Sequence, residues 1–468
     1  MLKIYNTEQR KKMPITLPSG ACQLLMYTCG PTLYNYAHIG NFRTYVFEDI
    51  LRRTIQYFGF PLKQVMNFTD VDDKTIKGSL EKKLELSNYV QTYKEAFFED
   101  LKTLNIQLVE KYAFATHYIS EMIHIIQTLL KKGVAYQGKD GSVYFNISKF
   151  PSYGRLSHCI VATHREGTAD DEYDKERACD FALWKSYNPQ RDSNVYWESP
   201  FGRGRPGWHI ECSAMAITLL GKTIDIHVGG VDNIFPHHEN EIAQSEGYTG
   251  QQFVRHWIHV EHLIVNGKKM SKSLGNFYTL RDLLKKGYTG SEIRYLLLNA
   301  HYRSPLNFTI KGLESARRAL LRWSVCIERL RSANGRGESM IHFIPPLRSE
   351  IRKALADDLN ISAVLATLFN FLKEINTQID THTLSKKSAQ SILQFLTEVD
   401  TILGILPLQK PLLIIPDMIQ RALSKREIAR KNKDWMEADR QRDYIESQGY
   451  LIEDGPNGSK VKKHFHNS

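Results

Sequence analysis

Two segments of this chain carry side chains suited to a nucleoside triphosphate. His38-Ile39-Gly40-Asn41 follows an apolar run and opens a helical one. A helix start offers unpaired N–H groups and a positive dipole end to phosphate. Gly40 lets a ligand approach the backbone, and His38 and Asn41 can donate to an oxygen that gains charge during attack at phosphorus. Lys269-Met270-Ser271-Lys272-Ser273, just after Gly267, sets two lysines three apart with hydroxyls beside them. Such a loop can fold over a triphosphate, neutralise the departing pyrophosphate and reopen to release it. Taken singly, each segment also suits a plainer role: a helix capped by Asn41 with His38 on the surface, and a solvated Lys-rich turn. Together they describe two halves of an ATP site of a kind that has no Walker A loop.

A second constellation has metal-ligand chemistry. Cys29, Cys212, His237 and Glu241 offer two thiolates, an imidazole and a carboxylate, an acceptable zinc shell. Pro236 suits the first turn of a helix, and that helix would turn His237 and Glu241 to the same side. The spacing fits no zinc-finger pattern, so buried free thiols and a surface His–Glu contact remain an alternative reading. The acidic run Asp70-Val71-Asp72-Asp73 has neither the glycine nor the late glutamate of a calcium loop and reads as structural.

The elements that must hold these residues follow from apolar patterning. Cys22 to Thr28 reads as a buried strand stopped at Gly30-Pro31, Asn41 to Phe58 as a helix, and Val65 to Phe68 as a second strand. Strand, helix, strand opens a βαβ unit. Helices are expected from Glu81 to Gly133, and short β-runs with charge clusters from 135 to about 200. A helix is expected over Trp208 to Leu220, a buried strand at Ile224 to Val228, a helix from Pro236 and a β-run at Leu263 to Val265. Leu313 to Leu406 repeats amphipathic helices, as a bundle does. The tail predicts one polar helix, Ser424 to Gln448, and then a hairpin around Gly455 to Gly458.

The 468 residues are enough for several domains. No apolar run approaches a membrane span, and the first residues lack the features of a secretory leader. Six cysteines without a CxxC pair point to a reducing cytoplasm. A net charge of +11 suits a polyanionic partner.

The His-Ile-Gly-Asn and Lys-Met-Ser-Lys-Ser pair resembles the two signatures of class I aminoacyl-tRNA synthetases, with Asn41 where a second histidine is usual. Cys29-Gly30-Pro31-Thr32, Gly207-Trp208-His209-Ile210-Glu211-Cys212-Ser213 and Phe235-Pro236-His237-His238-Glu239-Asn240-Glu241 together resemble the cysteinyl-tRNA synthetase family over nearly the whole chain. That resemblance implies an α/β fold: a Rossmann-type parallel-sheet catalytic domain (1–130 and 200–255) with a connective insertion (131–199). It also implies a KMSKS-loop region (256–312), a helical bundle (313–408) and a small mixed anticodon-binding domain (409–468).

The implied activity is ligation of L-cysteine to tRNA(Cys), with ATP and Mg2+ as substrate and one Zn2+ per chain held by Cys29, Cys212, His237 and Glu241. Catalysis would fall to His38, Asn41, Lys269 and Lys272. The same four residues with Gly40, Gly229 and Gly230 would bind ATP, and Thr69, Trp208 and Asp232 would bind cysteine. Val228 and Val231 stand where the family has smaller residues, so backbone contacts to adenosine would shift slightly. Arg426, Arg430, Lys431, Lys433, Lys460, Lys462 and Lys463, with Trp435 and Tyr450, are tRNA-contact candidates in the tail. A cytoplasmic monomer is expected. A cysteine ligase acting on a small-molecule amine, or a non-catalytic tRNA-binding paralogue, are the rival functions.

Overall fold

The computed structural model describes residues 1–158, 179–271, 274–335, 340–408, 417–448, 450–455 and 458–463. The chain divides into two compact units, Met1–Leu408 and Gln409–Ser468.

The first unit is built on a five-stranded parallel sheet. Its order is Val254–Val260, Ile224–Gly230, Leu24–Thr28, Leu62–Phe68, Lys111–Phe114. The chain begins at the central strand, winds outward through Leu62–Phe68 to Lys111–Phe114, then crosses back to build the other side. The reversal therefore falls between Leu24–Thr28 and Ile224–Gly230. In an open parallel sheet a crevice forms at the carboxyl ends of the strands flanking such a reversal. Cys29 leaves the first of those strands and Gly229-Gly230 ends the second.

Two of these strands differ from the sequence expectation. Lys111–Phe114 interrupts the stretch read as helical, and Val254–Val260 carries no alternating or continuous apolar signal because Arg255, His256 and His259 interleave with Val254, Trp257, Ile258 and Val260. His256 and His259 are buried and hydrogen-bonded, which satisfies polar groups that periodicity would place in solvent.

The helix read as Asn41 to Phe58 runs Ile39–Tyr57 and is anchored by buried cations. Arg43 donates to the carbonyls of Leu297, Ala300 and His301. Asp49 pairs with Arg53 and Arg294, and Arg294 also donates to Leu403 O (2.7 Å). The helix that faces the crevice is thereby fixed to the following helices. Its Glu48 is also buried, yet neither carboxyl oxygen has a hydrogen-bond partner, and burial pushes the acid well up.

The β-runs near 135–200 form an antiparallel four-stranded sheet, Ala135–Gln137, Val143–Phe145, Phe181–Ser186 and Gly204–Pro206. The regular helix expected from Pro236 begins later, at Glu239, and runs to Thr249. Pro236 lies in a wider, π-type turn, Ile234–His238, and Phe235 before it is extended (φ −135°, ψ 132°), as a residue preceding proline prefers. Helices Ile310–Ser332, Ile344–Ala356, Ile361–Asp380 and Lys386–Leu403 then pack around Trp323, Phe371 and Phe395.

In the second unit the single polar helix expected over Ser424 to Gln448 is two helices, Asp417–Lys431 and Trp435–Ser447. Lys433 adopts a left-handed backbone (φ 59°) and Asp434 caps the second helix by accepting from Glu437 N (3.1 Å). A hairpin, Tyr450–Gly455 with Gly458–Lys463, completes it. Among the described residues no helix is long and apolar enough to cross a membrane.

Candidate functional site

A cavity of about 620 Å³ opens at the strand reversal. Cys29, His38, Gly40, Asn41, Thr69, Trp208, Cys212, Gly230, Asp232, His237 and Lys269 all line it. Of the remaining sequence candidates, Glu241 is fully buried. Gly229 is packed where a Cβ would lie 2.7 Å from the His238 ring. Lys272 and Ser273 lie outside the described residues.

His38 is the N-cap of the Ile39–Tyr57 helix. Its Nδ1 accepts from Asn41 N (3.1 Å), and Asn41 Oδ1 accepts from His38 N (3.1 Å), a reciprocal capping box. The capping role weighed for Asn41 is therefore real, and it coexists with a place on the cavity wall. Because Nδ1 accepts, the neutral ring carries its proton on Nε2. Phe277 packs edge-on against the ring at 5.3 Å. Gly40 is required here: a Cβ would lie 2.9 Å from the His38 ring and 3.2 Å from Met270 Cε. Lys269 is exposed on the two-residue strand Lys268–Lys269, which pairs with Leu263–Val265, and Asn276 Nδ2 donates to its carbonyl (3.1 Å).

Cys29, Cys212, His237 and Glu241 converge so that one ligand atom from each lies within 4.8 Å of all the others. His237 Nε2 and Glu241 Oε1 are 3.1 Å apart. That oxygen is buried and within ion-pair distance, yet accepts no hydrogen bond. The hydrogen bond between the two thiols, together with burial, pushes Cys29 well up and holds Cys212 down to about 6 against its own burial. Burial opposes the charge on Glu241, but His227 and His237 outweigh it and hold the carboxyl down to about 2. Burial likewise opposes a charge on His237, but Cys212 and Glu241 push the ring up to about 10. Soft and borderline donors, partly ionised and largely buried, fit a zinc-type cation.

A second set, Cys29, His227, His238 and Glu241, meets the same distance criterion. Its histidines do not line the cavity, and each has a committed partner. His227 Nε2 lies 3.0 Å from Glu241 Oε2, and His238 Nδ1 lies 2.8 Å from His259 Nε2. The first set borders open space through Cys29, Cys212 and His237, as a metal that must accept a further ligand requires.

The remaining cysteine-site candidates are nearby. Trp208 stacks on His237 (4.4 Å, 22°). Thr69 Oγ1 donates to buried Glu211 Oε2 (3.0 Å). Asp232 is largely exposed at the rim, 3.4 Å from His262 Nδ1. In the second unit, Arg426 is buried and donates to Ser459 Oγ, and Tyr450 belongs to a small core with Ile419 and Ile445. Neither presents a free face to RNA. Trp435 is 59% exposed and Lys431 and Lys433 are exposed.

Residues 16–318 match the family model described as tRNA synthetases class I (C) catalytic domain, and residues 350–407 match the DALR domain. The cysteine–tRNA ligase of Protochlamydia amoebophila is 54% identical over 471 residues, covering 99% of this chain and 98% of that protein. The cysteine–tRNA ligase of Chlamydia pneumoniae is 53% identical over 467 residues, with 98% of each covered. The chain belongs to the cysteinyl-tRNA synthetase family. Among solved structures, a Mycobacterium tuberculosis methionyl-tRNA synthetase in complex with methionyl-adenylate superposes with a TM-score of 0.58 at 13% identity, covering 82% of this chain and 90% of that one. A leucyl-tRNA synthetase ternary complex from Agrobacterium radiobacter K84 gives 0.58 at 11% identity, with 84% of each covered. At such identities the likeness shows the shared fold.

Sequence reasoning missed the histidines behind the donor cluster of this cysteinyl-tRNA synthetase family member. His209 Nδ1 and His237 Nδ1 are 2.9 Å apart, which leaves Nε2 of His237 turned to Glu241. His238 Nε2 reaches Cys29 Sγ (3.3 Å), and His259 Nδ1 meets Thr7 Oγ1 (2.7 Å). Burial and neighbouring imidazoles hold His209 and His238 well below the usual range, so both are neutral. The available signal was the crowding of histidine between 227 and 262 in a chain of ordinary composition.

Proposed function

We infer that the chain activates L-cysteine with ATP and transfers it to the 3′ end of tRNA(Cys). The reading is carried by one observation: the Cys29, Cys212 and His237 donors share a single cavity with His38 and Lys269. In the first step a carboxylate oxygen of cysteine bonds to the α-phosphorus, and the bond to the β-phosphate oxygen breaks, giving cysteinyl-adenylate and pyrophosphate. A ribose hydroxyl of tRNA then bonds to the cysteinyl carbonyl carbon, and AMP leaves with the electron pair of the broken acyl–phosphate bond.

We assign His38 Nε2 and the Asn41 amide to the α-phosphate, Gly40 and Gly230 to close backbone approach, with Gly229 behind them, and Lys269 with Lys272 to the β- and γ-phosphates. Transfer at phosphorus needs positioning and charge neutralisation more than covalent help. Trp208 walls the cysteine pocket, Thr69 is fixed at its base by Glu211, and Asp232 receives the substrate ammonium from the rim. Cys29, Cys212, His237 and Glu241 would hold one Zn2+, which supplies a soft Lewis acid that takes a thiolate in preference to a hydroxyl. His209 and His227 orient His237 and Glu241 for that task. A pocket that only matched shape would separate cysteine from serine poorly.

We place the catalytic body at residues 1–130 and 200–255, the insertion at 131–199, the KMSKS region at 256–312, the bundle at 313–408 and the anticodon-binding part at 409–468. Trp435, Lys431 and Lys433 carry tRNA contacts in the last of these. The protein acts as a cytoplasmic monomer with Mg-ATP. Charging of tRNA(Cys) by purified protein tests the reading. It fails if adenylate forms and small amines, not tRNA, accept cysteine, or if metal-loaded protein forms no adenylate.

A further inference from the structure

The acidic run Asp70-Val71-Asp72-Asp73, structural by sequence, is tied down at every carboxylate. Asp70 accepts from Thr116 N (3.0 Å) and Thr116 Oγ1 (2.6 Å). Asp72 caps helix Asp73–Glu81, accepting from Thr75 N (2.7 Å), while Thr75 Oγ1 accepts from Asp72 N (2.8 Å). Asp73 receives Lys185 Nζ (2.9 Å) and Arg205 Nη2. Both cations come from the small antiparallel sheet and are 1% exposed, and Arg205 Nε also donates to buried Asp192 (2.9 Å). Taking two cations out of water is costly unless they are paired, as both are here. That frame fixes the backbone on either side of Lys74, between Asp73 and Thr75.

Lys74 is exposed and lines the reaction cavity. Its Nζ sits 5.6 Å from the centroid of the Tyr34 ring, which is 38% exposed and lines the same wall. Tyr34 is itself anchored, since Tyr89 donates its hydroxyl to Tyr34 O (2.7 Å). Among the described lining residues Lys74 and Lys269 are the two lysines. Lys269 precedes Met270, which packs at Gly40, whereas Lys74 follows the Thr69 segment. An exposed ring beside an exposed cation on one cavity wall suits an unpaired nucleotide: the ring stacks on a base and the cation meets a phosphodiester.

Resting on the reading of the chain as a tRNA ligase, we propose that Lys74 and Tyr34 bind the 3′-terminal nucleotides of tRNA, and that Asp73, Lys185 and Arg205 are positioning residues for Lys74. Phosphate could also come from ATP, and the assay separates the two sources. Full-length wild type, Lys74→Ala, Lys74→Arg, Tyr34→Ala and Asp73→Asn are compared in cysteine-dependent pyrophosphate exchange and in single-turnover transfer from preformed adenylate. Lys74→Ala should lower transfer at subsaturating tRNA at least tenfold relative to exchange. It should also flatten the salt dependence of tRNA binding by about one charge. Lys74→Arg should restore most of the loss. Tyr34→Ala and Asp73→Asn should show the same split at smaller amplitude. Equal losses in exchange and transfer for Lys74→Ala would assign the lysine to ATP and overturn the proposal, as would no loss in either. A wild-type protein that exchanges but never charges tRNA would overturn the reading beneath it.

Discussion

The two ends of the cavity are built on opposite principles. At the donor end, Cys212, His237 and Glu241 are almost wholly buried, and His209 and His227 bond two of them from behind. At the phosphate end, Lys268 and Lys269 are exposed on a two-residue strand, beside the tightly bonded His38–Asn41 turn. Telling sulfur from oxygen needs donors locked within tenths of an ångström, because the two substrates barely differ in shape. Gripping a triphosphate that must depart needs charge that can approach and withdraw. Substitutions at the first end should therefore fail together, and substitutions at the second should fail by degree.

The largest effect belongs to the donor cluster. Cys212→Ser and His237→Ala should each lose bound metal and lower cysteine-dependent exchange by more than about 100-fold, the upper range for outer-shell damage alone. Metal analysis and exchange on the same sample check this, and a variant that keeps one metal per chain would break the contrast. Lys269→Ala should cut the exchange rate by ~100-fold or more while the KM for cysteine hardly moves, since it neutralises charge that grows in the transition state. A tenfold rise in that KM would show the two ends to be coupled.

His227→Gln should weaken metal affinity by about 10-fold or more in competition with a chelator, because Glu241 loses the partner that orients it. The smallest effect concerns the helix between the two ends. Glu48 is buried and unbonded in the fold, and burial holds its carboxyl well up, whereas in the unfolded chain it ionises in the ordinary carboxyl range. Stability from this group is thus full below the ordinary carboxyl range and is lost as pH rises from there through the raised folded value. Glu48→Gln should raise Tm at pH 8 by about 2 °C and leave it unchanged near pH 4, as calorimetry can test.

The same contrast explains what the sequence disclosed. The central strands are legible as continuous apolar runs, the Ile39–Tyr57 helix by the helical spacing of Phe42, Tyr45, Val46, Ile50, Leu51 and Ile55, and the bundle by its repeated amphipathic pattern. Cys29, Cys212, His237 and Glu241 were legible as ligand chemistry, although spacing alone could not bring together residues so far apart in sequence. The strand Val254–Val260 escaped because its histidines are buried and paired, a tertiary fact that no local pattern carries. For the same reason the histidine layer behind the cluster was invisible. The break at Lys433 was hidden because a lysine rarely takes a left-handed backbone. Arg426 and Tyr450 read as tRNA contacts by residue type, and packing assigns them to the interior instead.

The most direct test of the account compares cysteine with serine in ATP–pyrophosphate exchange on protein carrying one Zn2+ per chain. Exchange should be robust with cysteine and at least a thousandfold lower in kcat/KM with serine, and that discrimination should be lost when the metal is removed. Serine supporting exchange within tenfold of cysteine, or unchanged discrimination in the metal-free protein, would contradict it.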